Sequence, residues 1–383
     1  MMLSIIVSIF IAIAAAANNK VFLPEPTGEY FVGKTQHVFN HTTIDDPTAS
    51  IGSNNTGKYI VLTILYPTGQ APTAETSLEY MDTELARLIE EGWEIPGSQL
   101  QNLWTHAQWK PPFLAGSVGT NEFPTLLLSP GAGQPCSTST ITASDLVSQG
   151  YTVLCIDHPG EIPYLKVPDG FEVGTDGQYG IPINDEWADE TVLFKVNRNR
   201  KSDFDALLEL FPPLVQSLQA PFNTSTYMHF GFSMGGSVGT HVVSQHDSII
   251  AGLNGDGAFI DTLFGETVDV KKPFLIFRDG ETRFDDTVYG QSFTSFMGNQ
   301  TSWWAQLRVK GSRHLDFCDV GFWAELLDWN TTLVGTAEKF RMRDFQTSFT
   351  TAFFDMVLGK NGSSLLEEAL PSIDWPEVTS INL

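Results

Sequence analysis

Apolar residues fall along this chain in two patterns, short unbroken runs and longer stripes with helical spacing. The runs are Thr125–Ser129 (TLLLS), Thr152–Ile156 (TVLCI), Tyr227–Gly231 (YMHFG), Ile249–Leu253 (IIAGL), Phe274–Phe277 (FLIF) and Trp304–Val309 (WAQLRV). Runs of this length with little polar alternation predict strands buried on both faces. The stripes predict helices near Ser139–Gln149, where Gly150 stops the pattern, and over Val192–Phe211, Met234–Ser244 and Thr347–Val357. Strands alternating with helices predict an α/β fold, a mostly parallel central sheet with helices on both faces.

The first hundred residues are less regular. Tyr59–Tyr66 (YIVLTILY) reads as a strand ended by Pro67-Thr-Gly, and Leu78–Glu91 as a helix with Leu85, Leu88 and Ile89 on one face. Residues 18–55 are polar and predict a surface wrap, and the Pro-interrupted stretch Trp93–Pro112 predicts a loop. Residues 159–190 break the later rhythm with Pro, Gly and Asp. They predict a lid-like insertion over the C-terminal edge of the sheet, since structureless loops of this length are often lids. No linker divides 18–383, so one domain is expected there.

Composition narrows the possible functions. The chain has 383 residues, 42% of them hydrophobic, enough to bury one sizeable core. A net charge of -24 repels phosphate backbones, which argues against nucleic acid as a partner and fits a neutral, zwitterionic or cationic small molecule. Leu3 to Ala17 is an apolar run ending in small residues, with Ala15 and Ala17 before Asn18. It predicts a secretory signal peptide over 1–17, and hence a secreted protein, although no Lys or Arg precedes the run. The rival is a membrane anchor, for which the run is short against the roughly 20 residues that spanning needs, and no later stretch could span. Six sequons, at Asn40, Asn54, Asn223, Asn299, Asn330 and Asn361, favour a glycosylated, secreted product. The three cysteines are too few for a disulfide scaffold and leave at least one free thiol. Cys155, within an apolar run, reads as a small buried hydrophobe. No Cys or His spacing suits a metal, and no cofactor is implied.

Candidate chemistry centres on Gly231-Phe-Ser233-Met-Gly235, which fits Gly-x-Ser-x-Gly between a strand and a helix. A serine on so sharp a turn is lifted clear of the sheet, and side chains in place of the flanking glycines would strike neighbouring backbone. The N–H of Met234 then sits at a helix N-terminus, where a developing oxyanion is favoured. A second donor is expected at the N–H of Ala132, in the Gly-rich turn Pro130-Gly-Ala132-Gly after an earlier strand. In this arrangement the histidine comes last in chain order. His241 and His246 belong to the helix after the serine and read as structural or solvated, whereas His314 heads a loop after a strand. Its acid partner stays open between Asp256 and Asp279, each of which follows a strand.

These segments resemble the platelet-activating-factor acetylhydrolases and related microbial lipases and esterases, within the α/β-hydrolase superfamily. The resemblance rests on Thr27-Gly-Glu-Tyr-Phe-Val-Gly33, Leu65-Tyr-Pro67, Ser129-Pro-Gly-Ala-Gly133, Ile156-Asp-His-Pro159, Val167-Pro-Asp-Gly170, Gly231-Phe-Ser-Met-Gly-Gly236, Asn254-Gly-Asp-Gly257 and His314-Leu-Asp-Phe-Cys-Asp319. It departs from the family at Phe232, where histidine is common, and at Gly255, where a larger residue is usual. The resemblance implies the α/β-hydrolase fold, the acid at Asp256, and a triad of Ser233, Asp256 and His314. It also implies metal-free hydrolysis of short or oxidised sn-2 acyl chains of phospholipids. Trp104, Trp109, Trp303 and Trp304 are candidates to line an acyl or headgroup pocket, with ordinary core packing as the alternative. A disulfide between Cys136 and Cys318 is expected, because both flank the predicted active-site loops. Two other functions stay open: an esterase or lipase for other esters or polyesters, and a non-catalytic binding protein on the same fold.

Overall fold

A computed structural model describes residues 20–383 apart from 51, 98, 115–122, 169–176, 183–189, 267, 283–284 and 361–363. The expected signal peptide, the sequon at Asn361 and parts of the 159–190 insertion lie outside the described residues. The strands are β1 (Val21–Phe22), β2 (Phe31–Ile44), β3 (Thr56–Thr68), β4 (Ser77–Glu79), β5 (Leu103–Trp109), β6 (Thr125–Ser129) and β7 (Thr152–Asp157). They continue with β8 (Tyr164–Leu165), β9 (Gln178–Tyr179), β10 (Tyr227–Phe232), β11 (Ile249–Gly255), β12 (Phe274–Arg278), β13 (Trp304–Val309) and β14 (Val378–Ile381). The helices are α1 (Thr83–Gly92), α2 (Thr140–Ser148), α3 (Glu190–Leu218), α4 (Met234–Gln245), α5 (Ile260–Leu263), α6 (Val288–Asn299), α7 (Val320–Leu326) and α8 (Lys339–Val357).

Twelve strands form one mixed sheet in the order β1-β5-β2-β3-β7-β6-β10-β11-β12-β13-β14, with β4 beside β5. From β7 through β13 every neighbouring pair is parallel, as the unbroken apolar runs predict. Alternate residues of each run point to opposite faces. Leu126 and Leu128 therefore join a core beneath α2, α7 and α8, whereas Leu127 joins a second core beneath α3, α4 and α6.

The polar N-terminal region is not a surface wrap. Residues 31–44 form the long strand β2, antiparallel to β3. Burial along this strand is irregular, with Val32, Gly33, Thr35 and Thr43 buried and the rest half-buried or exposed, so no clean alternation marks it. The stretch Trp93–Pro112 contains β5, and the first residues of the expected helix Leu78–Glu91 instead form β4. Helix α3 runs seven residues beyond its expected end at Phe211, through Pro212 and Pro213. Phe211 and Val215 both bury in the second core, so packing outweighs the two lost backbone donors.

The described part of the insertion forms a small antiparallel ribbon, β8 with β9. Tyr179 Oη donates to Glu84 of α1, and Tyr59 of β3 donates to Gln178. The ribbon thus packs at the β2–β3 side of the molecule. The cysteine pairing differs from expectation: Cys136 and Cys155 are joined, and Cys318 is a buried free thiol. Cys136 opens the turn after β6 and Cys155 lies on the adjacent β7, so the neighbouring strand supplies the partner.

Candidate active site

Ser233 occupies the bend between β10 and α4 with φ 55° and ψ -123°, a conformation that side-chain-bearing residues rarely adopt. A Cβ at Gly231 would lie 2.1 Å from the carbonyl oxygen of Gly235, and one at Gly235 would lie 1.9 Å from that of Ser129. No side chain fits at either position without moving backbone, which accounts for both glycines of the motif.

The parallel order brings the ends of β11, β12 and β13 beside this bend. Asp256 follows β11 and also has a positive φ, 57°, with its N–H bonded to Phe277 O at 2.9 Å. His314 begins a short helical turn after β13. Asp316 anchors that turn by accepting from the N–H groups of Arg313 at 2.8 Å and Gly335 at 2.7 Å, and from Lys339 at 2.6 Å. The side chains then meet in a line. His314 Nε2 lies 2.9 Å from Ser233 Oγ, and His314 Nδ1 lies 2.7 Å from Asp256 Oδ2. With Asp256 accepting from Nδ1–H, Nε2 is left to accept the serine proton.

Asp279, the other candidate acid, sits behind this line. Its backbone N–H donates to Asp256 Oδ1 at 3.0 Å, and Arg278 Nε lies 3.4 Å from the same oxygen. Burial, followed by the charge of Asp256, pushes the Asp279 carboxyl up to about 7. For His314, burial lowers the pKa, but the hydrogen bond and charge of Asp256, with Asp279 beyond it, outweigh that and raise it above 6.5. The ring keeps 43% of its surface exposed, so it faces an accessible space. The other two histidines stand apart: His246 pairs with Asp205 at 2.7 Å, and His241 is half-buried on α4.

Ser233 and His314 open into a cavity of about 550 Å³. Leu193, Ile260, Leu263, Phe264, Phe293 and Leu333 give it an apolar wall, while Asp279, Glu281 and Arg313 lie on its polar side. Ala132 and Met234 line it as well, next to the serine. Neither of their N–H groups makes a loop or turn hydrogen bond to backbone among the described residues. The four tryptophans do not line this cavity. Trp104 and Trp109 face a separate cleft, and Trp303 stacks on Phe353 in the core. Phe232 packs its ring 4.9 Å from that of His314.

Sequence reasoning missed two contributors. Most of the apolar wall comes from α3, α6 and the short α5 with Phe264 behind it, and Leu333 adds to it from the loop before α8; their apolar residues carry nothing beyond ordinary core spacing. Arg200 and Glu161, a buried pair holding the turn around Ala132, were also missed. Their only signal was one acid directly after β7 and a basic run that reads as a solvated face.

No protein-family model matches the chain. A curated relative from Arthroderma benhamiae, named a probable 1-alkyl-2-acetylglycerophosphocholine esterase, is 25% identical, and the match covers 97% of this chain and 96% of that one. The solved structure of a ferulic acid esterase from Streptomyces cinnamoneus superposes with a TM-score of 0.74 at 22% identity, over 94% of this chain and 99% of that one. The fold is therefore that of the α/β-hydrolases. In an α/β-hydrolase the line of hydroxyl, imidazole and carboxylate seen here suits acyl transfer. The hydroxyl is presented at the C-terminal edge of the sheet, with an imidazole beside it and Ala132 and Met234 lining the same cavity.

Proposed function

We propose that this protein is a serine esterase that cleaves carboxylic esters through an acyl-enzyme. The observation that carries the reading is the unbroken chain from Ser233 Oγ to His314 at 2.9 Å and on to Asp256 at 2.7 Å, open to a cavity. Ser233 Oγ attacks the ester carbonyl carbon while His314 Nε2 takes its proton. The N–H groups of Met234 and Ala132 receive the oxyanion. The C–O bond to the alcohol breaks as His314 returns the proton to the leaving oxygen. Water then attacks the acyl-serine, His314 takes its proton, and the carboxylic acid leaves with Ser233 restored. Asp256 orients the imidazole and stabilises its charged form.

The finer reading is a phospholipid bearing a short or oxidised sn-2 acyl chain. The name of the Arthroderma relative supports it, as does a cavity whose apolar wall suits an acyl chain and whose polar side suits the rest of the molecule. The reading includes secretion of a glycosylated chain. The disulfide fits an oxidising compartment, and the sequon residues Asn40, Asn54, Asn299 and Asn330 are exposed. Among the described residues no helix is long and apolar enough to cross a membrane.

Comparing hydrolysis of an sn-2-acetyl phospholipid and a simple aryl acetate tests both levels. The proposal expects turnover of both. Aryl acetate turnover without phospholipid turnover would withdraw the phospholipid reading, and turnover of neither would withdraw the esterase.

A further inference from the structure

The turn from Pro130 to Pro135 belongs to no helix or strand, yet in the esterase reading Ala132 within it has to present its N–H to the oxyanion, in the cavity that it lines together with Ser233. Its own bonds hold it weakly, a single Gln134 N–H to Gly131 O contact at 3.2 Å. Its far end is tied to Thr138, whose N–H and Oγ1 donate to Pro135 O at 3.0 and 2.7 Å, and Gln134 Nε2 lies 3.9 Å from Cys318 Sγ, whereas on either side of Ala132 the restraint comes from two charged side chains. Arg200, on α3, donates to Pro130 O at 2.5 Å, to Gly131 O at 2.8 Å and to Ser129 Oγ at 3.3 Å. The same guanidinium pairs with both carboxylate oxygens of Glu161. Glu161 in turn accepts the N–H of Gly133 at 3.2 Å. The residues on either side of Ala132 are thus gripped from one direction, and Ala132 faces the cavity.

This pair lies almost completely out of water, with side chains 1% and 2% exposed. A buried ion pair is a poor source of net stability, because desolvation cancels most of the attraction. The planar fork of Arg200, by contrast, holds two carbonyl oxygens and a carboxylate at once in a fixed geometry, whereas a lysine offers rotatable donors at a single point. The same helix also carries Val196, which is buried against Met234 and Ile260 with Ala132 at the edge of the cluster. Helix α3 therefore touches the segments carrying both proposed oxyanion donors.

We infer that Arg200 and Glu161 are positioning residues for the oxyanion donor at Ala132, an inference that rests on the esterase reading above. Neither touches the substrate; together they hold the turn so that the N–H of Ala132 meets the oxyanion rather than the ground-state carbonyl. Displacing a catalytic group by about 1 Å can cost on the order of 100-fold in rate.

The test compares wild type with Arg200→Lys and with Glu161→Gln, each normalised to active sites titrated by a fluorophosphonate. Titration counts only folded, reactive molecules, so partial misfolding does not hide the outcome. For aryl acetate hydrolysis, kcat per titrated site should fall about 10- to 100-fold while KM changes less than about threefold. The inhibition constant of a trifluoromethyl ketone, which forms the tetrahedral adduct, should weaken by the same factor as kcat/KM. A merely structural role predicts fewer titratable sites with unchanged kcat and unchanged ketone affinity at each one, and that result in both variants would overturn the inference. If wild type itself fails to hydrolyse the ester, the esterase reading fails instead.

Discussion

Among the described residues two histidines meet an aspartate through Nδ1, and only one of them also faces a hydroxyl and a cavity. Asp256 Oδ2 meets His314 Nδ1 at 2.7 Å, and Asp203 Oδ2 meets His158 Nδ1 at 2.5 Å. The chemistry of the contact is the same, and the surroundings separate the pairs. His314 is 43% exposed, and its second nitrogen meets a serine hydroxyl held on a strained bend. His158 is buried, and its second nitrogen has no hydrogen-bond partner among the described residues. Asp203 also accepts from Thr43 at 2.9 Å and lies 3.1 Å from His41, so it ties β2 to α3. An imidazole paired with a carboxylate becomes a base only where a nucleophile and a path for substrate meet it. Elsewhere the same pair is a structural cross-link.

Changes at the serine and at the two carboxylates sharpen this contrast. The largest effect is expected from Ser233→Ala, which should lower kcat for aryl acetate by on the order of a million-fold with the fold intact by circular dichroism. Asp256→Asn comes next, at about four orders of magnitude in kcat. Asp279→Asn should cost far less, because the hydrogen bond that Asp279 makes to the line comes from its backbone N–H, which the substitution keeps. A loss of about four orders of magnitude for Asp279→Asn, with Asp256→Asn near wild type, would exchange their roles. Asp203→Asn should act the other way. It should destabilise the fold by about 3 kcal/mol or more in denaturant titration, since it breaks a buried pair. It should leave kcat of the folded fraction within about tenfold.

The two pairs should also answer pH differently. His314 must be neutral to accept a proton, and its pKa is raised, so kcat/KM should climb with pH through a midpoint above 6.5. The Asp203 carboxyl is held at about 2 against an ordinary 3.8: burial opposes this, but the hydrogen bonds and charges of His158 and His41 prevail. A depressed carboxyl stabilises the fold above its unfolded pKa and loses that contribution as pH falls. Asp203 should thus contribute about 2 kcal/mol above roughly pH 4, fading toward pH 2, and the stability gap between wild type and Asp203→Asn should narrow by about that amount there. The smallest effect concerns thiols. Alkylation of native protein should leave Cys318 almost unmodified, because burial first of all pushes its thiol far up, and denatured, unreduced protein should yield one alkylated cysteine. Three labelled cysteines would remove the Cys136–Cys155 bridge.

How much could be read beforehand varies along the chain for a physical reason. Strands β6, β7, β10, β11, β12 and β13 are covered on both faces, so their apolar runs stand out at once. Ser233, Asp256 and His314 each follow one of those strands, so the elements presenting them were legible with them. Spacing alone could not choose Asp256 over Asp279, because both follow parallel strands; the family resemblance implied Asp256, and it is Asp256 that lies against the imidazole. Strand β2 escaped notice because most of its residues are only half-buried or exposed, and polar residues such as Lys34, Gln36, Asn40 and Thr42 interrupt any apolar pattern. Strand β5 was hidden by mixed aromatic and polar residues between prolines. Arg200 and Glu161 stand 39 residues apart in sequence, and nothing local links them. The expected Cys136–Cys318 pairing failed because loop proximity was inferred without the β6–β7 register that sets Cys155 beside the turn.

The most direct measurement of the central claim is mass-mapped labelling of the folded protein with a fluorophosphonate. The account predicts a single phosphonyl adduct on Ser233, formed faster as pH rises through the His314 pKa and strongly slowed in Asp256→Asn. No adduct on Ser233 in folded protein, or an adduct whose rate ignores both pH and the Asp256 substitution, would contradict it.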